Sequence, residues 1–302
     1  MFAAQVCSTP SAEVFSSLAL PQCKQAAAPH EDTPAAEAPA PQAGAEQQGP
    51  APSLASIAAA VQLARETVAI EAPGAEKNQE FLMEVVDEFV NGLALLSTAP
   101  QRITVFGAAR CTEDREWYRV GREVGRAIAE AGYAVLTGGG PGLMEAANRG
   151  AVEADGYSIG FNILLPFEQE PNPYLNAVVD FKHFFVRKAL LRWESTALIA
   201  LPGGFGTFDE LFETLTLRQT GKMPDIPIVL VGKDFWSPLL EFLTKSPEAQ
   251  GFVSHGDIEG VALVDSGEEA LRYIEEYKRS RIAGARRASE PEPCPAAPET
   301  VM

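Results

Sequence analysis

The sequence predicts an α/β fold, with a mostly parallel sheet covered by helices on both faces. Two observations carry that expectation. From residue 102 to about residue 277, short apolar runs that read as strands alternate with amphipathic stretches that read as helices. Two of the strands also end abruptly in turns with three or more glycines, and each turn opens directly into a helix. In sheets of this kind ligands sit beyond the carboxyl ends of the strands, which is where both glycine clusters fall.

Composition sets the outer limits. Asp and Glu number 41 against 24 Lys and Arg, giving a net charge of −17. That balance excludes nucleic acid or an anionic membrane as a general partner, though not a local basic pocket for a small phosphate. No uncharged apolar run approaches the ~18 residues of a membrane-spanning helix. Cys7, Cys23, Cys111 and Cys294 form no C-x-x-C pair, and His30, His183 and His255 are scattered. Neither a disulfide framework nor a metal site is expected, and a reducing cytoplasm fits best. No cofactor is expected either.

Residues 1–52 are rich in Ala, Pro, Gln and Glu and read as a disordered tail. Their acidic residues and single Lys24 are wrong for a transit peptide. Residues 53–100 read as N-terminal helices that pack on the core or on a second subunit. The first covers about residues 53–70. The second carries Phe81, Leu82, Val85, Val86, Phe89, Leu93 and Leu96 at helical spacing. Residues 101–280 form the α/β domain, and residues 281–302 revert to a polar, Pro-rich tail.

Within the domain the elements follow in order. Residues 103–106 form an apolar strand, followed by the turn Gly107-Ala108-Ala109-Arg110. Trp117, Val120, Val124 and Ile128 mark a helix closed by Gly132. The strand at 133–136 runs into Thr137-Gly138-Gly139-Gly140-Pro141-Gly142-Leu143-Met144, and a helix covers 143–154. A strand around 157–165, a Pro-punctuated loop at 166–173 and a strand around 177–181 come next. The helix through Arg187 leads to the strand at 196–201. That strand ends in Pro202-Gly203-Gly204-Phe205-Gly206-Thr207, with a helix over 206–220. Strands at 227–231 and 261–264, each followed by a helix, complete the sheet.

The turn after residue 201 has two readings. A strand, a glycine turn and a helix N-terminus point backbone N–H groups and the positive helix end at one place, which suits an anion. Thr207-x-x-Glu210 is equally a capping box. The second glycine cluster and the Arg110 turn, all at strand ends on one sheet edge, favour a phosphate site. The dinucleotide fingerprint G-x-G-x-x-G is absent, because Glu145 and Asp209 stand where its last glycine belongs, and there is no P-loop. A mononucleotide or a sugar phosphate remains. Few residues could do chemistry on it. Glu210, at a helix start that favours its ionised form, could stabilise positive charge on a sugar or orient a water. Arg187 could hold a phosphate or a departing group, or could serve only in a surface ion pair.

Gly138-Gly139-Gly140-Pro141-Gly142-Leu143-Met144 and Pro202-Gly203-Gly204-Phe205-Gly206-Thr207-x-x-Glu210 resemble the paired motifs of the LOG ("lonely guy") family. The likeness continues through Phe106-Gly107-Ala108-Ala109-Arg110, Leu165-Pro166-Phe167-Glu168-Gln169, Arg187-Lys188-Ala189 and Leu217-Arg218-Gln219-Thr220-Gly221-Lys222. It implies a Rossmann-like, doubly wound fold and a homodimer or larger homo-oligomer. It also implies hydrolysis of a nucleoside 5′-monophosphate, AMP or a cytokinin riboside 5′-monophosphate, to free base and ribose 5-phosphate. Arg187 and Glu210 would be the catalytic pair. Gly203, Gly204, Gly206 and Thr207 would bind the phosphate, and Gly139, Gly140, Met144, Arg110 and Lys188 the rest of the substrate. Glu145, directly after Met144, is either a ligand contact or a favourable charge in the first turn of its helix. The compact first motif resembles the larger bacterial branch of the family, so the base is not fixed. A nucleotide-binding sensor without turnover would use the same loops. A pyridoxal-phosphate decarboxylase would need a cofactor motif around Lys188, and none surrounds it.

Overall fold

Residues Arg102–Phe106 form strand β1, and all five are buried. Burial on both faces is what makes the strand read as a continuous apolar run rather than an alternating one. Ile103 and Val105 pack with Val124 and Ile128 on one side of the sheet, and Phe106 packs with Leu190 and Leu191 on the other. Each fully buried Ile or Leu of this kind stabilises the fold by about 1.5–3 kcal/mol.

A computed structural model describes residues 75–166 and 170–289, all within one compact unit. The helix expected at 53–70, residues 167–169 of the Pro-punctuated loop and the N-terminal tail lie outside the described residues. In order, the elements are α1 (Ala75–Thr98), β1, α2 (Glu116–Glu130), β2 (Ala134–Thr137), α3 (Leu143–Glu153), β3 (Ser158–Ile163), β4 (Ala177–Phe181) and α4 (Phe184–Arg192). They continue with β5 (Ser195–Ala200), α5 (Phe205–Gln219), β6 (Ile228–Val231), α6 (Lys233–Leu243), α7 (His255–Glu259), β7 (Val261–Val264) and α8 (Gly267–Ser289).

The seven strands lie in the order β4-β3-β2-β1-β5-β6-β7. Every pairing is parallel, where a mostly parallel sheet was expected. The chain starts at the centre with β1, winds outward to β4, then crosses back to place β5 on the other side of β1. Helices α2, α3 and α8 cover one face, and α1 and α4 the other. Connections leave β1 and β5 in opposite directions, so a crevice opens at their carboxyl ends.

Three local expectations need correction. Helix α5 begins at Phe205 with Gly204 as its N-cap, so Thr207 is the third helical residue and the Thr207–Glu210 capping box does not form. Helix α8 runs to Ser289, past residue 281 where the tail was placed. Its Arg and Ala content favours helix, and Arg281 reaches Asp225 at 3.1 Å. In α1, Phe81 and Leu82 are exposed, while Val85, Phe89, Leu93 and Leu96 face the core.

Candidate active site

Three loops meet at the crevice, and backbone hydrogen bonds join them. Leu201 N–H donates to the Phe106 carbonyl at 2.8 Å, and Ala108 N–H to the Pro202 carbonyl at 3.1 Å. Leu143 N–H, at the start of α3, donates to the Ala108 carbonyl at 2.9 Å. Gly142 permits this junction: its φ is +74°, and a Cβ there would collide with the Ala108 carbonyl oxygen. A cleft of about 600 Å³ lies above the junction. Its lining includes Arg110, Met144, Arg187, Gly204, Gly206, Thr207 and Glu210 from the expected set.

The start of α5 presents unused donors to this cleft. The first intrahelical N–H is that of Phe208, which reaches the Gly204 carbonyl at 3.0 Å. The amides of Phe205, Gly206 and Thr207 precede it and have no acceptor inside the helix. A Cβ at Gly204 or Gly206 would meet nothing within 4 Å, so protein packing does not explain these two glycines. Gly203 is different. It packs directly against the Thr207 side chain, outside the cleft lining.

Arg187 enters from α4. Its Nε donates to the Phe161 carbonyl at 2.6 Å and its Nη2 to the Gly138 carbonyl at 3.3 Å. Gly138 leaves room for the guanidinium in this position, since a Cβ would overlap Nη2 and displace it. Burial lowers the Arg187 pKa from its ordinary value, and the negative charge of Glu210 partly restores it. Nη1 has no protein partner among the described residues, so the guanidinium is fixed at one end and available at the other.

Glu210 is 8% exposed. Burial pushes its pKa up to about 7, against the pull of Arg192, Arg187 and Lys188 and with help from Glu213. This corrects the expectation that the helix start keeps it ionised. Glu210 is the sixth residue of α5, beyond the first turn in which the dipole acts, and desolvation outweighs it. Arg192 Nη1 donates to Glu210 Oε2 at 3.2 Å, and Arg192 Nη2 to Glu213 Oε1 at 2.7 Å.

The remaining expected residues do not line the cleft. Gly139 donates its N–H to Thr137 Oγ1 at 2.9 Å. Its carbonyl accepts from the Asn172 side-chain amide at 3.1 Å, as the Gly140 carbonyl does at 3.0 Å. Asn172 also donates to Asn148 Oδ1 at 3.0 Å, so a buried polar network grips the first glycine loop from behind. Glu145 accepts the Tyr118 hydroxyl at 2.7 Å. Lys188 pairs with Asp209 at 2.8 Å and Glu213 at 2.5 Å. Burial lowers the Lys188 pKa, but these two carboxylates outweigh it and leave the pKa above its ordinary value. A lysine held as a cation is a poor start for a Schiff base, which needs the neutral amine.

Sequence reasoning missed part of the lining. Phe106, Ile163, Leu165 and Leu191 form an apolar wall, and Phe184, Phe205 and Asp209 form a rim. Phe106, Leu165 and Phe205 stand inside the family motifs without having been read as lining, and Ile163 at the end of β3 and Leu191 on α4 carried no signal beyond core packing. Arg192 was missed although it follows Lys188 by four residues, on the same face of α4. Among the described residues no three His, Cys, Asp or Glu side chains come together as metal ligands, and no helix is long and apolar enough to cross a membrane.

Comparison with known proteins agrees with the motifs. The family model described as "Possible lysine decarboxylase" matches residues 144–274. The probable cytokinin riboside 5′-monophosphate phosphoribohydrolase LOGL6 of Oryza sativa subsp. japonica is 30% identical over 194 residues, which cover 62% of this chain and 76% of that protein. The cytokinin riboside 5′-monophosphate phosphoribohydrolase LOG3 of Arabidopsis thaliana is 29% identical over 194 residues, covering 62% of this chain and 88% of that protein. Among solved structures, the molybdenum cofactor binding protein of Rippkaea orientalis is 23% identical with a TM-score of 0.47, covering 60% of this chain and 98% of that chain. With both glycine motifs, the parallel sheet and the two plant relatives in agreement, the chain belongs to the LOG family.

Proposed function

We propose that this protein hydrolyses the N-glycosidic bond of a nucleoside 5′-monophosphate, releasing the free base and ribose 5-phosphate. AMP and cytokinin riboside 5′-monophosphates are the substrates in view, the second because the relatives carry that name. The observation that carries the proposal is the pairing of unused helix-start amides with a buried carboxyl one turn further along the same helix. The phosphate would sit on the amides of Phe205, Gly206 and Thr207. The ribose then lies over Glu210, and the base faces the apolar wall of Phe106, Ile163, Leu165 and Leu191.

Cleavage leaves the bonding electron pair on the base nitrogen and positive charge on the ribose. The Glu210 carboxylate stabilises that charge, and a water adds to C1′. A carboxyl titrating at about 7 is matched to accepting that water's proton near neutral pH. Arg187, held by two carbonyls, offers Nη1 to the phosphate or to the departing base.

A homodimer or larger homo-oligomer belongs to the same proposal. Beside the cleft an open groove of about 900 Å³ runs between α4 and α5, lined by Phe184, Phe185, Phe205, Phe208 and Phe212. Phe205 is 95% exposed. An aromatic surface of that kind on a folded domain marks an association site. Sedimentation of the wild type beside Phe185→Asp tests it, because a monomeric wild type would remove the assignment. We also place the protein in the cytoplasm, on its cysteine usage.

The deciding experiment incubates the protein with AMP, GMP, CMP, UMP and isopentenyladenosine monophosphate and separates the products chromatographically. Base release that disappears in Glu210→Gln supports the assignment. Nucleotide binding without release from any of the five would make the protein a binding module instead.

A further inference from the structure

We propose that Arg192, which lies behind the cleft rather than in it, is a positioning residue that orients the Glu210 carboxylate and holds it ionised for turnover. The proposal rests on the glycosidase reading of the site.

Arg192 is the last residue of α4, and its side chain is 7% exposed. A guanidinium this deeply buried must be paired, and its planar fork can serve two carboxylates at once. It does so across one turn of α5, with Nη1 on Glu210 Oε2 and Nη2 on Glu213 Oε1. Only one Glu210 oxygen is engaged. Oε1 has no protein partner among the described residues, and Glu210 lines the cleft. The pair therefore fixes the carboxylate from behind and leaves one oxygen for substrate or water. A lysine could not bridge both acids with the same geometry.

The surrounding charges make Arg192 the hinge of the balance. Helix α4 turns Arg187, Lys188 and Arg192 toward α5, which brings Asp209, Glu210 and Glu213, and Arg110 stands across the cleft. Lys188 is already committed to Asp209 and Glu213. Arg187 is tied to the Phe161 and Gly138 carbonyls. Among the described cations, Arg192 alone makes a direct ion pair with Glu210. Glu213 competes for it, and so the two neighbours of Glu210 act in opposite directions.

The test is the pH dependence of kcat for AMP hydrolysis by the full chain, with Arg192→Met, Arg192→Lys and Glu213→Gln. In Arg192→Met the acidic limb should move up by about one pH unit, a tenfold loss at a fixed acidic pH that largely recovers in alkali, with KM changed less than threefold. Arg192→Lys should fall between Arg192→Met and the wild type. Glu213→Gln should move the limb down, because it removes a like charge and frees Arg192 for Glu210. A uniform loss of kcat at all pH values, with the limb unmoved, would overturn the proposal and leave Arg192 a packing residue. Titration of the Glu210 carboxyl carbon by NMR in the same variants gives the same three shifts without turnover. A wild type that releases no base yet shows those shifts would sink the glycosidase reading while the pairing stood. Unmoved NMR midpoints in an active enzyme would do the reverse.

Discussion

Replacing Glu210 by Gln should stabilise the protein, and only above acidic pH. The carboxyl is pushed from its ordinary 4.5 to about 7, chiefly by burial. At about 1.4 kcal/mol per pH unit, ionised Glu210 costs the folded state about 3 kcal/mol relative to the unfolded chain. The pH window follows from the sign. Below about 4.5 the group is neutral in both states and contributes nothing. Between 4.5 and 7 the folded protein keeps a proton that the unfolded chain has lost, so stability falls as pH rises. Above 7 the whole penalty is present. Gln has nearly the same shape and no charge, so it removes the penalty. Against this stands the ion pair with Arg192, whose loss would cost several kcal/mol if it left a buried guanidinium unpaired. It does not, because Nη2 still holds Glu213 at 2.7 Å. The net gain at pH 8 should be about 2 kcal/mol, or a Tm higher by roughly 4–8 °C for a domain of this size. Calorimetry of both proteins from pH 4 to pH 8 measures it. The gap should close on acidification. A Gln variant less stable than the wild type at pH 8, or a gap indifferent to pH, would show that the ion pair outweighs desolvation.

Other substitutions separate binding, chemistry and scaffold. Gly206→Ala should raise KM for a nucleotide at least tenfold by occupying the space over the α5 amides; a thermal melt should show no loss of stability, since the added Cβ meets nothing within 4 Å in the protein. Arg187→Lys should lower kcat about a hundredfold in steady-state assays, because an ammonium cannot keep both the Phe161 and Gly138 carbonyls and still face the cleft. Asn172→Ala should cost about 1–3 kcal/mol in urea unfolding, by leaving the Gly140 carbonyl without its buried donor, while the Gly139 carbonyl keeps the backbone N–H of residue 172 at 2.8 Å.

Much of the architecture was legible because its signals are local. Buried parallel strands such as Arg102–Phe106 and Ile228–Val231 are short apolar runs, and a glycine turn after each of two strands marks the ligand edge. Helix α7 and the π-helical turn Thr244–Glu248 went unread because they are short and polar, although Ser254 and Asp257 form a capping box that was available in the sequence. The cleft was legible only where a motif named its residues. Arg192 looks like any helix cation until α4 and α5 are packed together, and the Glu210 pKa depends on burial that no spacing reveals. Helix position predicted an ionised carboxylate, and desolvation reversed the sign.

The two glycine motifs, alike in sequence, serve the fold differently, and the difference lies in what occupies the following helix start. At α3 the Leu143 N–H is already bonded to the Ala108 carbonyl, and the preceding Gly139 and Gly140 carbonyls are taken by Asn172. That loop is a structural joint that holds β1, β2 and the Asn172 segment in register. It meets the cleft through Gly138, whose carbonyl anchors Arg187. At α5 no such protein acceptor meets the first three amides among the described residues, and Gly204 and Gly206, unlike Gly203, make no packing contact that would explain them. Phe205 and Gly206 are exposed, so water can solvate their amides until an anion takes its place. The sheet's switch point supplies one rigid glycine loop that anchors Arg187 and one open glycine loop whose free helix-start amides suit an anion. The distance between those two functions is fixed by the backbone hydrogen bonds that tie both loops to Ala108.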